Sequence, residues 1–463
     1  MTLVAGLDVG GSSVKAWVHA PEGVLAQVAA PTRTLRPAAD RAEFEPDAWQ
    51  DACRSALAAA VERAGRPTDE YAGVTACSLR QGFVLLDGAG QPLGRGVLNS
   101  DRRGGPYASV LEGRHDLTGH WPAPELTLPK LLAVAAEEPE RWAATAQVLF
   151  VHDWLLALLS GERVTEASYA CAGGMADVAH RRWAGDLLDT CAIGTERLAP
   201  LVEAGTPVGR LREGWGLPAG LPVVAGCGDT QLAAAAVGGL ADGVVVVVAG
   251  SSTPVIAATA APVADPLGRP WVSTHADPGL WAAEGNAGYP GTFSGWWRGL
   301  AGTPDAVSAP VDLLAVTAAP YWSRETWERR PPGSLVGLRP DTTVDEVAAA
   351  LLQAHAYAVR GNLADLERAL GAPARDVVVT GGGAVDGTLP ALLADVLGRD
   401  VRVAREGGAA EAGGVLVRRA LGEDVPLPGL PERVLPAGDR APWDEPYERW
   451  CAAHTALRAA LPL

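Results

Sequence analysis

Leu3-Val4-Ala5-Gly6-Leu7-Asp8-Val9-Gly10-Gly11-Ser12-Ser13-Val14-Lys15-Ala16-Trp17-Val18-His19 is the stretch on which the fold turns. Leu3 to Asp8 is apolar and reads as a strand, Gly10 to Ser13 reads as a turn, and Val14 to His19 as a second strand. Strands joined this closely run antiparallel, because a parallel return needs a crossover of a dozen or more residues. A dinucleotide-binding unit would instead place a helix after its glycine turn. The pattern returns far along the chain: Val244 to Val248 as a strand, Ala249-Gly250-Ser251-Ser252-Thr253 as a turn, and Val255 to Ala258 as another strand. Two such units predict two related α/β lobes around a cleft.

Around these units, Pro46 to Ala64 has a proline-led start and apolar residues at helical spacing. Gly73 to Cys77 and Phe83 to Leu86 are expected to be strands, and Leu126 to Leu201 a helical region containing Trp142, Trp154 and Trp183. Later come a long helix, Val344 to Leu370, the strand Val377 to Thr380 ending in Gly381-Gly382-Gly383, and the helix Leu389 to Leu397. Pro426 to Pro442 should form a proline-rich surface segment before a final short helix. At 463 residues the chain is expected to divide in two, at 1–237 and 238–463.

Hydrophobic residues make up 48% and charged residues 20%, enough apolar material for large cores. The net charge of −16 argues against nucleic acid or an anionic membrane as a partner, though local amides or a metal can still hold an anionic ligand. Six scattered cysteines without a C-x-x-C pair point to free thiols in a reducing compartment. The N-terminus lacks the basic region of a signal peptide, so a cytoplasmic protein is expected; a homodimer is compatible with the sequence but not required by it.

Val223 to Gln231 reads as a buried strand that breaks at Gly226 and Gly228 and then presents Asp229, with a small-residue helix, Leu232 to Val237, after it. A carboxylate at such a turn has two readings. It caps the helix that follows, or it points into a cleft and takes a proton from a hydroxyl. The first turn supplies glycines, hydroxyls and Lys15 for a phosphate, with Asp8 suited to Mg²⁺ through water; a plain hairpin with an exposed lysine is the rival. Gly250-Ser251-Ser252 repeats this logic without a cation. Thr380 to Gly383 leaves room for a flat ring, or is a loop that needs positive φ. Arg80, Gln81 and Asp101 would suit recognition of a polyhydroxy compound, and Trp17 or Trp296-Trp297 could stack on a sugar, although core filling is the stronger expectation for any one tryptophan.

In combination these residues resemble the FGGY carbohydrate kinases, which share a superfold with actin, hexokinase and the heat-shock chaperone ATPases. Asp8 to Lys15 resembles the first phosphate motif, Arg80-Gln81 the substrate strand, Asn99-Ser100-Asp101-Arg102-Arg103 the W-x-D-x-R segment, and Leu126 to Leu132 the L-P-K-L segment. Gly228-Asp229-Thr230-Gln231 is similar to G-D-x-Q, Gly250-Ser251-Ser252 to the second phosphate loop, and Thr380 to Gly398 to the adenosine motif. Gly11 stands where the family has Thr, Asn99 where it has Trp, and Gly413-Gly414-Val415 where a late helix has G-A-A.

The resemblance implies ATP-dependent phosphorylation of a small sugar or polyol. Asp229 would be the base, and Arg80, Gln81, Asp101, Asp229 and Thr230 would contact substrate. Gly11, Ser12, Ser13, Lys15, Gly250, Ser251, Gly381, Gly382 and Asp386 would contact ATP, and Asp8 and Asp229 would hold Mg²⁺. A xylulose-like ketose is the leading substrate, with glycerol, erythritol and an autoinducer-like ketone beside it. The alternative is an inactive ATP- or sugar-binding sensor on the same fold.

Overall fold

The computed structural model describes residues 2–301, 307–318, 333–404 and 408–460. Its first half forms a six-stranded sheet whose order is Pro207–Arg210, Pro222–Gly228, Tyr71–Ser78, Leu3–Val9, Ser13–Ala20, Gly23–Pro31. The opening pair is antiparallel, with Asp8 opposite Lys15, and Leu3–Val9 runs parallel to Tyr71–Ser78 on its other side. A seven-stranded sheet repeats this centre. There Val244–Val248 pairs antiparallel with Pro254–Thr259 and parallel with Asp376–Thr380.

Alternation sorts the first sheet's side chains to two faces. Leu3, Ala5, Leu7 and Val9 join Val14, Ala16 and Val18 under the helices Pro46–Ala64 and Val151–Ser160. Val4 and Trp17 face the other way, onto Ala410 and Val417 of the helix Gly408–Ala420, which comes from the far end of the sequence. The second sheet is covered on one face by Val344–Leu370, Thr388–Leu397 and Ala441–Ala460. Its other face meets Ala234 and Val237, at the end of and just beyond the helix Asp229–Ala235. The two inner helices meet through Leu232, Ala235 and Ala412. Two helix-covered sheets with a pair of helices between them give the two-lobed architecture that the repeated hairpin unit led us to expect.

Three expectations change. Leu126 to Leu201 is not uniformly helical: Gln147–Phe150 is a strand paired with Phe83–Leu86, and Trp183 lies in the strand Arg182–Trp183. The final helix is long, Ala441–Ala460, because Trp443 and Trp450 bury against the second core and repay the unfavourable Pro446 within it. Within the proline-rich segment, Val434–Leu435 adds an edge strand to the second sheet.

Candidate active site

Three parallel strands of the first sheet end together and carry three of the candidate site residues. Asp8 lies in Leu3–Val9, Arg80 follows Tyr71–Ser78, and Asp229 follows Pro222–Gly228. The ladder between the last two strands breaks between Ala225 and Gly228. Tyr169 bridges the gap: its hydroxyl accepts from the Ser78 amide at 2.9 Å and lies 2.9 Å from the Cys227 carbonyl and 3.1 Å from that of Ser78. Beside it, the Ser168 hydroxyl accepts from the Gly228 amide at 3.1 Å and donates to the buried Glu166. Neither Tyr169 nor Glu166 was marked by a motif; each is a polar group at zero exposure, which only the fold reveals.

Asp229 is the first residue of its helix, and its Oδ1 accepts the Thr230 amide at 2.8 Å. Gly228 rather than Asp229 is the N-cap residue, and no side chain caps this helix, so the cap reading fails. Oδ2 has no hydrogen bond among the described residues. Burial pushes the carboxyl up to about 6; Arg80 opposes that shift, and the Asp8 charge adds to it.

Arg80 forks onto Glu284 of the second sheet, at 2.7 and 2.9 Å, and reaches the Thr230 hydroxyl at 3.4 Å. That hydroxyl is 3.4 Å from Asp229 Oδ1. Arg80, Thr230 and Asp229 thus form one polar chain, clamped from the opposite lobe. Glu284 escaped the sequence reading, although an acid among the small residues Ala282, Ala283 and Gly285 was a visible signal of a buried charge.

Gln81 has φ +67°, and its carbonyl takes Lys130 Nζ at 2.8 Å and Thr127 Oγ1 at 3.0 Å. The L-P-K-L segment therefore buttresses the Arg80–Gln81 turn, and burial lowers the Lys130 ammonium to about 7. Asp101 is fully buried and holds Arg103 at 2.8 and 3.0 Å and the Ala42 amide at 2.7 Å. Among the described residues its hydrogen bonds thus stay within the lobe and do not reach Arg80 or Asp229.

The first turn is closed by Gly10 N to Ser13 O at 2.9 Å, with Gly11, Ser12 and Ser13 at its bend. Lys15 Nζ, half-exposed, stands 4.0 Å from Asp8. Burial raises the Asp8 carboxyl, with Lys15 and Cys77 pulling the other way. Asp8 is opposite Cys77 and Gly228 opposite Ser78, so Asp8 and Asp229 end strands two places apart. Two carboxylates, one with an unbonded oxygen, suit a hard divalent cation that keeps most of its waters. The residues present fit Mg²⁺.

Across the cleft, a cavity of about 540 Å³ brings together Gly250, Ser251, Gly382 and Asp386. Gly381 adjoins it with φ +92°, where a Cβ would stand 2.7 Å from the Ala249 carbonyl; the two loops approach too closely for any side chain. Asp386 Oδ1 accepts the Thr388 amide at 2.9 Å. Trp297, Arg298, Leu351 and His355 complete the walls. His355, its proton affinity lowered to about 4 by burial, holds Thr253 at 2.8 Å and so anchors the Gly250 loop. Of the tryptophans considered for sugar stacking, Trp17 is buried in the core, Trp296 is exposed, and Trp297 lines this second-lobe cavity.

The model of the N-terminal domain of the FGGY family of carbohydrate kinases matches residues 3–238, and that of its C-terminal domain residues 245–422. The chain belongs to the FGGY family. As a carbohydrate kinase it transfers a phosphoryl group to an alcohol oxygen. It is 28% identical to the autoinducer-2 kinase of Yersinia enterocolitica over 77% of this chain and 73% of that one. It is 32% identical to that of Escherichia coli over 62% of this chain and 55% of that one. A xylulose kinase structure from Rhodospirillum rubrum superposes with a TM-score of 0.82 at 27% identity, covering 99% of this chain and 98% of that one. Plasmodium falciparum glycerol kinase with ADP, at 16% identity, shares the fold with a TM-score of 0.82 over 97% and 98%. No described helix of this FGGY kinase is long and apolar enough to cross a membrane.

Proposed function

We propose that this kinase phosphorylates a neutral ketose of xylulose type with ATP, and that Asp229 is its general base. The observation that carries the reading is Asp229 itself: a buried carboxyl raised to about 6, with one unbonded oxygen, at the end of the polar chain from Arg80. At neutral pH such a group is ionised yet basic enough to take a hydroxyl proton. As the substrate oxygen bonds to the γ-phosphorus, its proton passes to Asp229 and the bond to the β-phosphate oxygen breaks.

Arg80, Thr230, Gln81 and Asp101 would orient the sugar, directly or through the turns they hold. The Gly11 to Ser13 turn with Lys15 and the Gly250–Ser251 loop would donate to the phosphates, and Gly381, Gly382 and Asp386 would border the adenosine. Mg²⁺ at Asp8 and Asp229 would neutralise phosphate charge. Arg80 is already matched by Glu284, which favours an uncharged sugar over an acidic one. Similarity to both autoinducer-2 and xylulose kinases keeps an autoinducer-like ketone as the second substrate to assay, before glycerol and erythritol. The supply of ATP fits a cytoplasmic location.

ADP release measured over a panel of ketoses and polyols tests the substrate; release greatest with an acidic sugar would overturn the neutral-ketose reading. Asp229→Asn should lower kcat by about 10²–10⁴ with nucleotide binding retained. A folded variant with wild-type turnover would remove Asp229 as the base.

A further inference from the structure

A second cavity, of about 690 Å³, opens on the outer side of the first lobe, between the helices Pro46–Ala64 and Val151–Ser160 and away from the cleft. It shares no residue with the nucleotide cavity or with the Asp229 cluster. Three arginines line it: Arg54, Arg163 and Arg212. Among the described residues none of them makes an ion pair, although the chain as a whole carries a net charge of −16.

Arg54 is held rather than loose. Its guanidinium lies over the ring of the buried Trp215, 5.3 Å from the ring centroid, and its buried Nε has no hydrogen-bond partner. Arg163 is accommodated by a glycine: at Gly90, φ +81°, a Cβ would sit 2.3 Å from its Nη2. Asp47, Glu213, Gln50 and Gln91 border the same space. A wall of this kind matches two chemistries at once. Planar guanidinium groups bind phosphate oxygens in pairs, while carboxylates and amides accept from and donate to hydroxyls.

We propose that this cavity binds a sugar phosphate, with the phosphate on the arginines and the hydroxyls on Asp47, Glu213 and the glutamines. The site stands independently of which sugar the cleft phosphorylates. Its wall also reaches the interior of the first lobe: Trp154 lines the cavity, and His152 and Asp153, just before it in the helix, contact each other at 2.9 Å beside Glu166 and Tyr169.

Calorimetry on the full chain with ribose 5-phosphate, ribose and inorganic phosphate tests it. Arg163 and Arg212 are exposed, so the Arg163→Gln/Arg212→Gln protein should fold and keep its initial kinase rate. The expected result is binding of ribose 5-phosphate that weakens at least tenfold in this double variant and again in Arg54→Gln, weaker binding of inorganic phosphate, and no arginine-dependent binding of ribose. Absence of binding to the wild type, unchanged affinity in the variants, or inorganic phosphate binding as tightly as the sugar phosphate would each overturn the proposal.

Discussion

The Asp229 carboxylate accepts the Thr230 amide on Oδ1, and its Oδ2, without a hydrogen bond among the described residues, is the atom that the proposed base role requires. Because burial raises its pKa to about 6, kcat/KM should climb with pH through that value and level off above it; a profile flat from pH 5 to 8 would contradict the assignment. The sign for stability is opposite. Deprotonation is harder in the folded chain than in the unfolded one, so ionised Asp229 opposes folding above about pH 6, and the penalty fades towards the unfolded value near 4. Asp229→Asn should therefore be more stable than wild type at pH 8, on the order of 1–3 kcal/mol by denaturant titration, and equal to it near pH 4. Tyr169→Phe keeps the ring stacked on His152 but leaves the strand ends unbridged. We expect a loss of about 1–3 kcal/mol and a fall in kcat larger than any change in KM for ATP. Asp229 was legible in the sequence because its signal is local. Glu284 was not, because its meaning depends on Arg80, which lies 204 positions away along the chain.

At the scale of elements, strand–turn–strand units and the helices Pro46–Ala64 and Val344–Leu370 were legible because periodicity and end signals are written in neighbouring residues. Segments that depend on distant partners were not. Gln147–Phe150 is a strand because Phe83–Leu86 needs a mate, and Trp17 is core because a helix nearly four hundred residues later covers it. That helix also explains Gly413 and Gly414. A Cβ on the first would fall 2.6 Å from the Trp17 ring, and on the second 2.3 Å from the His19 ring. Glycine to alanine inside a helix ordinarily stabilises by about 1 kcal/mol. Here overpacking should win, and Gly414→Ala should destabilise by about 1–3 kcal/mol in thermal or denaturant unfolding.

For the whole molecule, Arg80–Glu284 is a buried ion pair that joins the two lobes beside the candidate site, with side-chain exposures of 11% and 3%. Removing one partner strands the other charge, so Glu284→Ala should cost about 3–5 kcal/mol and raise KM for the sugar; wild-type values for both would deny the pair a role in the cleft. The crossing of the helix Gly408–Ala420 onto the first sheet has a consequence in time rather than in energy. On the ribosome, Trp17 and His19 emerge nearly four hundred residues before the helix that covers them. At about 5–20 residues per second the wait is roughly 20–80 s. During synthesis the nascent first lobe therefore presents an uncovered aromatic face, which makes it a natural client for a chaperone until that helix emerges.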